Sequence, residues 1–84
     1  MNHIQANIAA DTIVEHAVDY TLGHNKMTIR LDSGQRITFA FDVDMIDECI
    51  QLVACGIQFK SQSQIVDGLL DSEALEMTKR YFDF

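Results

Sequence analysis

Two cysteines, three histidines and one run of carboxylates are the residues of this chain whose types could do chemistry. Nucleophilic catalysis needs a nucleophile, a base and an orienting group that converge. Cys49 and Cys55 are the thiols, and His3, His16 and His24 are scattered along the chain, with no glycine-marked nucleophile turn around either cysteine. Both cysteines fall in one helical stretch, which turns them to different faces and sets them about 9 Å apart along the axis. That geometry does not suit a disulfide, and small buried hydrophobes are the plainer reading. Asp42, Asp44, Asp47 and Glu48 gather four carboxylates, without the spacing or the glycine of a calcium loop. They suit the start of a helix, where the dipole favours anions. There is no Cys-x-x-Cys, no His-x-x-x-His and no phosphate-cradling glycine loop. The expectation is no enzyme, no cofactor, no metal and no small-molecule substrate.

Any site would need a scaffold, and its clearest part is a hairpin. Residues 27–31 and 35–41 alternate apolar and polar types around Asp32-Ser33-Gly34, which predicts a β-hairpin with Gly34 in the left-handed position. The implied register sets Ile29 opposite Ile37 and Met27 opposite Phe39, leaving Thr28, Arg30, Arg36 and Thr38 on the other face. Upstream, Val14, His16, Val18, Tyr20 and Leu22 also alternate. A turn over residues 23–26 would add a third strand, pairing Asp19 with Arg30 and Thr21 with Thr28. Residues 6–22 also fit an amphipathic helix, with Ala10, Ile13, Val14, Ala17 and Thr21 on one side and Asp11, Glu15 and Asp19 on the other. β-Branched content favours the strand, after a short helix or coil.

From Asp42 the period becomes helical, with Met45, Ile46, Cys49, Ile50, Leu52 and Val53 as one apolar face and Gly56 as a stop. Ser61 followed by Gln64 reads as a capping box that opens a second helix buried through Ile65, Val66, Leu69 and Leu70. Asp71 or Ser72 would cap a final helix through Tyr81. The expected fold is therefore α+β over a single domain, residues 1–84: an N-terminal β-hairpin or three-stranded antiparallel meander, then two or three short helices.

With 84 residues, a domain buries only about 60% of its unfolded surface. Disulfides and metals being unsupported, a homodimer is the expected remedy. Residues 1–10 lack a basic, apolar leader pattern, and no run suits a membrane span. A cytoplasmic protein with no membrane partner is expected. The net charge of −7 repels nucleic acid at long range. Any DNA-binding face would need acid segregated away from it.

Arg36-Ile37-Thr38-Phe39-Ala40-Phe41, the helical stretch to Gly56, and then Phe59, Ser61, Ser63, Ile65-Val66 and Leu69 resemble the ribbon-helix-helix family of repressors and antitoxins. The resemblance covers residues 36–70. It implies a homodimer whose paired strands enter the DNA major groove, with Arg36, Thr38 and Ala40 toward the bases. It also implies a phosphate held at Lys60, Ser61, Gln62 and Ser63, at the second helix's N-terminus. As ordinary residues, Arg36 and Thr38 are solvated strand positions and Ser61 is a cap.

A second reading is a non-enzymatic acidic inhibitor or adaptor that binds another protein. Asp42, Asp44, Asp47 and Glu48 would present carboxylates where a nucleic acid presents phosphates. Tyr81, Phe82 and Phe84 would serve as aromatic anchors. The DNA-binding transcriptional regulator or antitoxin ranks first.

Overall fold

A computed structural model describes residues 2–41, 46–71 and 75–77. The order is α1 (His3–His16), β1 (Ala17–Gly23), β2 (Lys26–Leu31), β3 (Arg36–Phe41), α2 (Ile46–Phe59), α3 (Gln62–Leu70) and β4 (Leu75–Met77). The strands form one antiparallel sheet in the order β1-β2-β3-β4. This corrects the β-first expectation: a helix of about four turns precedes the sheet.

Helix α1 starts with a reciprocal cap. The Gln5 backbone N–H donates to Asn2 Oδ1 at 2.8 Å, and the Asn2 N–H donates to Gln5 Oε1 at 3.2 Å. Its buried face is Ala6, Ala9, Ala10 and Ile13. The large apolar residues Ile4 (73% exposed) and Ile8 (47% exposed) point outward. A stripe of alanines lets another helix approach closely but carries little hydrophobic contrast, so the helix is faint in sequence. The competing strand and helix readings of residues 12–22 divide at Ala17, whose extended backbone (φ −69°, ψ 129°) ends the helix. His16 is therefore a helix residue, not a strand one, and its Nδ1 lies 3.1 Å from Asp32 Oδ2.

The three-stranded meander takes the expected register. Asp19 pairs with Arg30, Thr21 with Thr28, Ile29 with Ile37 and Met27 with Phe39. Asn25 (φ 58°) and Gly34 (φ 87°) supply the left-handed residues of the two turns. A bulge between Ala17 and Asp19 interrupts the β1–β2 ladder.

Gly56 does not end α2. It lies inside the helix, where an added Cβ would collide with Ile65 Cγ1 and sit 3.1 Å from the Ser61 carbonyl oxygen. The true stop is Lys60 in the left-handed conformation (φ 54°). The Ser61 N–H donates to Gly56 O at 2.8 Å and the Lys60 N–H to Ile57 O at 3.3 Å. Those two bonds make a Schellman ending, with a lysine at the position glycine usually fills. Ser61 caps α3 by position, without a side-chain bond to the helix backbone, so the expected capping box is absent. The expected final helix is also corrected: Leu75–Met77 form β4, and the rest of that segment lies outside the described residues.

The three described helices lie on one side of the sheet. Met27, Ile29, Leu31, Ile37 and Phe39 are buried against Ala6, Ala9, Ala10, Ile13, Cys49, Val53, Ile57, Ile65 and Leu69. Among the described residues, no helix covers the opposite face of the sheet. No helix among them is long and apolar enough to cross a membrane.

Candidate nucleic-acid interface on the open sheet face

Strand alternation sends every second side chain away from the helices. Asp19 and Thr21 on β1, Lys26, Thr28 and Arg30 on β2, and Arg36, Thr38 and Ala40 on β3 fall on the open face, as their register pairs require. Most of them, with Gly23 and Leu22, line a shallow depression of about 390 Å³. Thr28 lies in its floor, with its hydroxyl 3.3 Å from that of Thr38.

The electrostatics of this face are unusual for an acidic chain. Arg30 and Arg36 are direct cross-strand partners. The Asp32 N–H donates to His16 O and the Leu31 N–H to Gln35 O. Even-numbered β2 residues therefore bond toward β1 and odd-numbered ones toward β3. Arg30–Arg36 is then a non-hydrogen-bonded pair, in which side chains approach most closely. Like charges in that position are unfavourable. Asp19 offsets part of this. Arg30 Nη2 donates to Asp19 Oδ2 at 2.7 Å and Arg30 Nε to Oδ1 at 3.1 Å. The Arg30 hydrogen bonds hold the Asp19 carboxyl below the usual range, aided by the charges of Arg30 and Arg36. The same bonds push the Arg30 guanidinium up.

Most of the described acid sits elsewhere. Asp11 and Glu15 on α1, Asp47 and Glu48 on α2, and Asp67 and Asp71 at α3 are all exposed on the helical layer. Across β1, β2 and β3 the open face carries Lys26, Arg30 and Arg36 against one carboxylate, Asp19, while Asp32 is exposed in the turn directly after β2, with its Oδ2 3.1 Å from His16 Nδ1. On β4, Glu76 takes the register position opposite Ala40, at the Lys26 end of the face and away from the arginine pair.

The expected site residues separate. Arg36, Thr38 and Ala40 share the open face, joined by Lys26, Arg30, Thr21 and Thr28. Lys60, Ser61, Gln62 and Ser63 belong to the α2–α3 junction on the helical side. There Lys60 Nζ donates to Ala17 O at 2.9 Å, and Gln62 Nε2 donates to Asp11 Oδ1 at 2.9 Å and Asn7 Oδ1 at 3.2 Å. One flat surface cannot engage both groups. β3 lies between β2 and β4, so it has no open edge along residues 39–41 for a ribbon with a second copy. Lys26 and Arg30 are legible in the sequence as outward positions of the hairpin, since they share parity with Thr28. Asp47 and Glu48 are exposed in the first turn of α2. Asp42, Asp44, Tyr81, Phe82 and Phe84 lie outside the described residues.

Cys49 is buried and Cys55 half-buried, and neither is in a disulfide. Among the described residues no three His, Cys, Asp or Glu side chains come together as a metal site would require. No protein-family model, no curated protein and no solved structure matches the chain.

Proposed function

We propose that this protein is a non-enzymatic DNA-binding regulator that docks through the open face of its sheet. The observation carrying this reading is the close Arg30–Arg36 pair beside Lys26, on the one face from which the described acid is largely withdrawn. Phosphate contacts by Lys and Arg dominate DNA affinity, and a like-charged pair kept at a cost to folding suits an anionic partner. Thr21, Thr28 and Thr38 add hydroxyls that can bond to phosphate or touch a base edge. The reading keeps the regulator class that the ribbon-helix-helix resemblance implies, and moves the contact from an intermolecular ribbon to the sheet surface.

Fluorescence-anisotropy titration of random-sequence duplex DNA at low salt tests it. Arg30→Ala, Arg36→Ala and Lys26→Ala should each weaken binding, and Gln62→Ala on the helical layer should leave it unchanged.

A second reading has its own support in the exposed carboxylates of the helical layer, which would suit a basic protein partner. Binding of a basic protein that is abolished in Asp47→Asn/Glu48→Gln, with no DNA binding at any salt, would favour it over the first.

A further inference from the structure

We propose that β1 is a self-pairing edge: two copies of this chain join antiparallel through residues 19–23, with Thr21 of one copy facing Thr21 of the other. Among the described residues β1 is the outer strand of the sheet, with β2 on one side only. Because even-numbered β2 residues bond toward β1, their partners Asp19, Thr21 and Gly23 turn their backbone groups inward. Tyr20 and Leu22 therefore present their N–H and C=O groups along the open edge. Natural edges are commonly blocked by lysine, proline, a bulge or a covering loop. In Ala17–Gly23 there is no proline and no basic residue, and the one charge, Asp19, is held by Arg30.

Two features block only one end of the strand. The bulge lies between Ala17 and Asp19, and Lys60 Nζ already occupies the Ala17 carbonyl. The regular, open segment is residues 19–23, whose centre is Thr21, and this selects the register. Tyr20 of each copy then pairs with Leu22 of the other, exchanging both backbone hydrogen bonds. Asp19 faces Gly23, so no carboxylate opposes another.

The occupant is a second copy because of what lies beside the edge. Val18 (53% exposed), Tyr20 (37%) and Leu22 (51%) form an apolar stripe on the helix side of β1, which α2 reaches only near Val18 and Tyr20. Self-pairing sets the stripe of one copy against that of the other and covers both. The edge itself carries little net charge, so it brings together two chains of net charge −7 without setting carboxylate against carboxylate. Pairing joins two four-stranded sheets into one of eight strands. It also sets both Arg30–Arg36 faces on the same side. That last consequence bears on DNA and rests on the function proposed above; the pairing does not.

The test uses the full chain without DNA, so its failure is separate from failure of the DNA reading. A non-hydrogen-bonded antiparallel pair has Cα atoms about 4.5 Å apart, within disulfide reach. Thr21→Cys should therefore cross-link into a dimer under mild oxidation. Asp19→Cys, facing Gly23, should not, and the unsubstituted chain serves as the background for Cys49 and Cys55. Sedimentation should give a dimer for the wild type. Leu22→Lys should give a monomer with an unchanged far-ultraviolet dichroism spectrum. A wild type that stays monomeric at all concentrations overturns the proposal. So does a dimer unmoved by Leu22→Lys, or cross-linking that fails at Thr21 or is equal at Asp19.

Discussion

Arg30 and Arg36 face each other across β2 and β3 at a pair whose backbones exchange no hydrogen bond, so two arginine side chains leave the backbone at the narrowest Cα spacing of an antiparallel ladder. Asp19, one strand further on, is hydrogen-bonded to the first of them. The charge of Arg36 reaches it from across the face and adds to the lowering of its pKa.

Asp19 therefore restrains the positive charge of the face, and its removal has a signed effect. Asp19→Asn should raise affinity for duplex DNA at low salt, whereas Arg36→Ala should lower it. The pH dependence runs in one direction. A carboxyl whose pKa is lowered by folding contributes stability above its unfolded value, about 3.9, and that contribution disappears as pH falls through the folded value. Carboxyl NMR titration should place Asp19 below free aspartate, and Arg30→Ala should return it to the ordinary range.

The α2–α3 junction makes a sharper stability prediction. Gly56 admits Ile65 Cγ1 to a distance that a methyl group cannot tolerate, and the Ser61 carbonyl oxygen to one it would crowd. Gly56→Ala should destabilise by about 2 kcal/mol or more through overpacking, despite alanine's better helix propensity. Urea unfolding checks the sign: a more stable Gly56→Ala would contradict this packing.

Lys60 has two roles that can be separated. Its left-handed backbone ends α2, while its ammonium group satisfies Ala17 O. Lys60→Ala removes the bond and keeps the strain. Lys60→Gly removes the bond and relieves the strain, so it should be more stable than Lys60→Ala by about 1 kcal/mol. Thermal unfolding of the two variants measures the difference.

Truncating Phe39 should open a cavity, because its ring is fully buried at the centre of the sheet. Phe39→Ala should cost about 3–5 kcal/mol, which is a large share of a small domain's stability. Retained dichroism with cooperative unfolding near the wild-type midpoint would contradict its central place.

How far this fold is legible in the sequence depends on contrast. The meander can be read to the register because Met27, Ile29, Ile37 and Phe39 alternate with threonine and arginine around Gly34. Helix α1 is fainter: Ala10, Ile13 and Ala17 do mark its buried side, but that stripe is mostly alanine while Ile4 and Ile8 face solvent, so a helix and a strand reading compete over residues 12–22. Gly56 misleads because a glycine inside a helix and one beyond its end look alike in sequence. Only the facing Ile65 distinguishes them. β4 is three residues long and exists through its pairing with β3, a tertiary relationship with no local signal. For the candidate site, outward parity is enough to find Arg36 and Thr38. Residues 60–63 join them only through the family resemblance, and the folded chain places that turn on the helical layer.

The decisive experiment is the salt dependence of duplex DNA binding, compared between the wild type and the Arg30→Ala/Arg36→Ala double variant. Wild-type binding should weaken as salt rises, and the double variant should bind at least roughly tenfold more weakly at low salt. Its log–log slope should be shallower by about 0.9 for each phosphate that is no longer neutralised. A wild type that ignores duplex DNA at low salt, or a double variant with the wild-type affinity and slope, would contradict the open face as the binding surface.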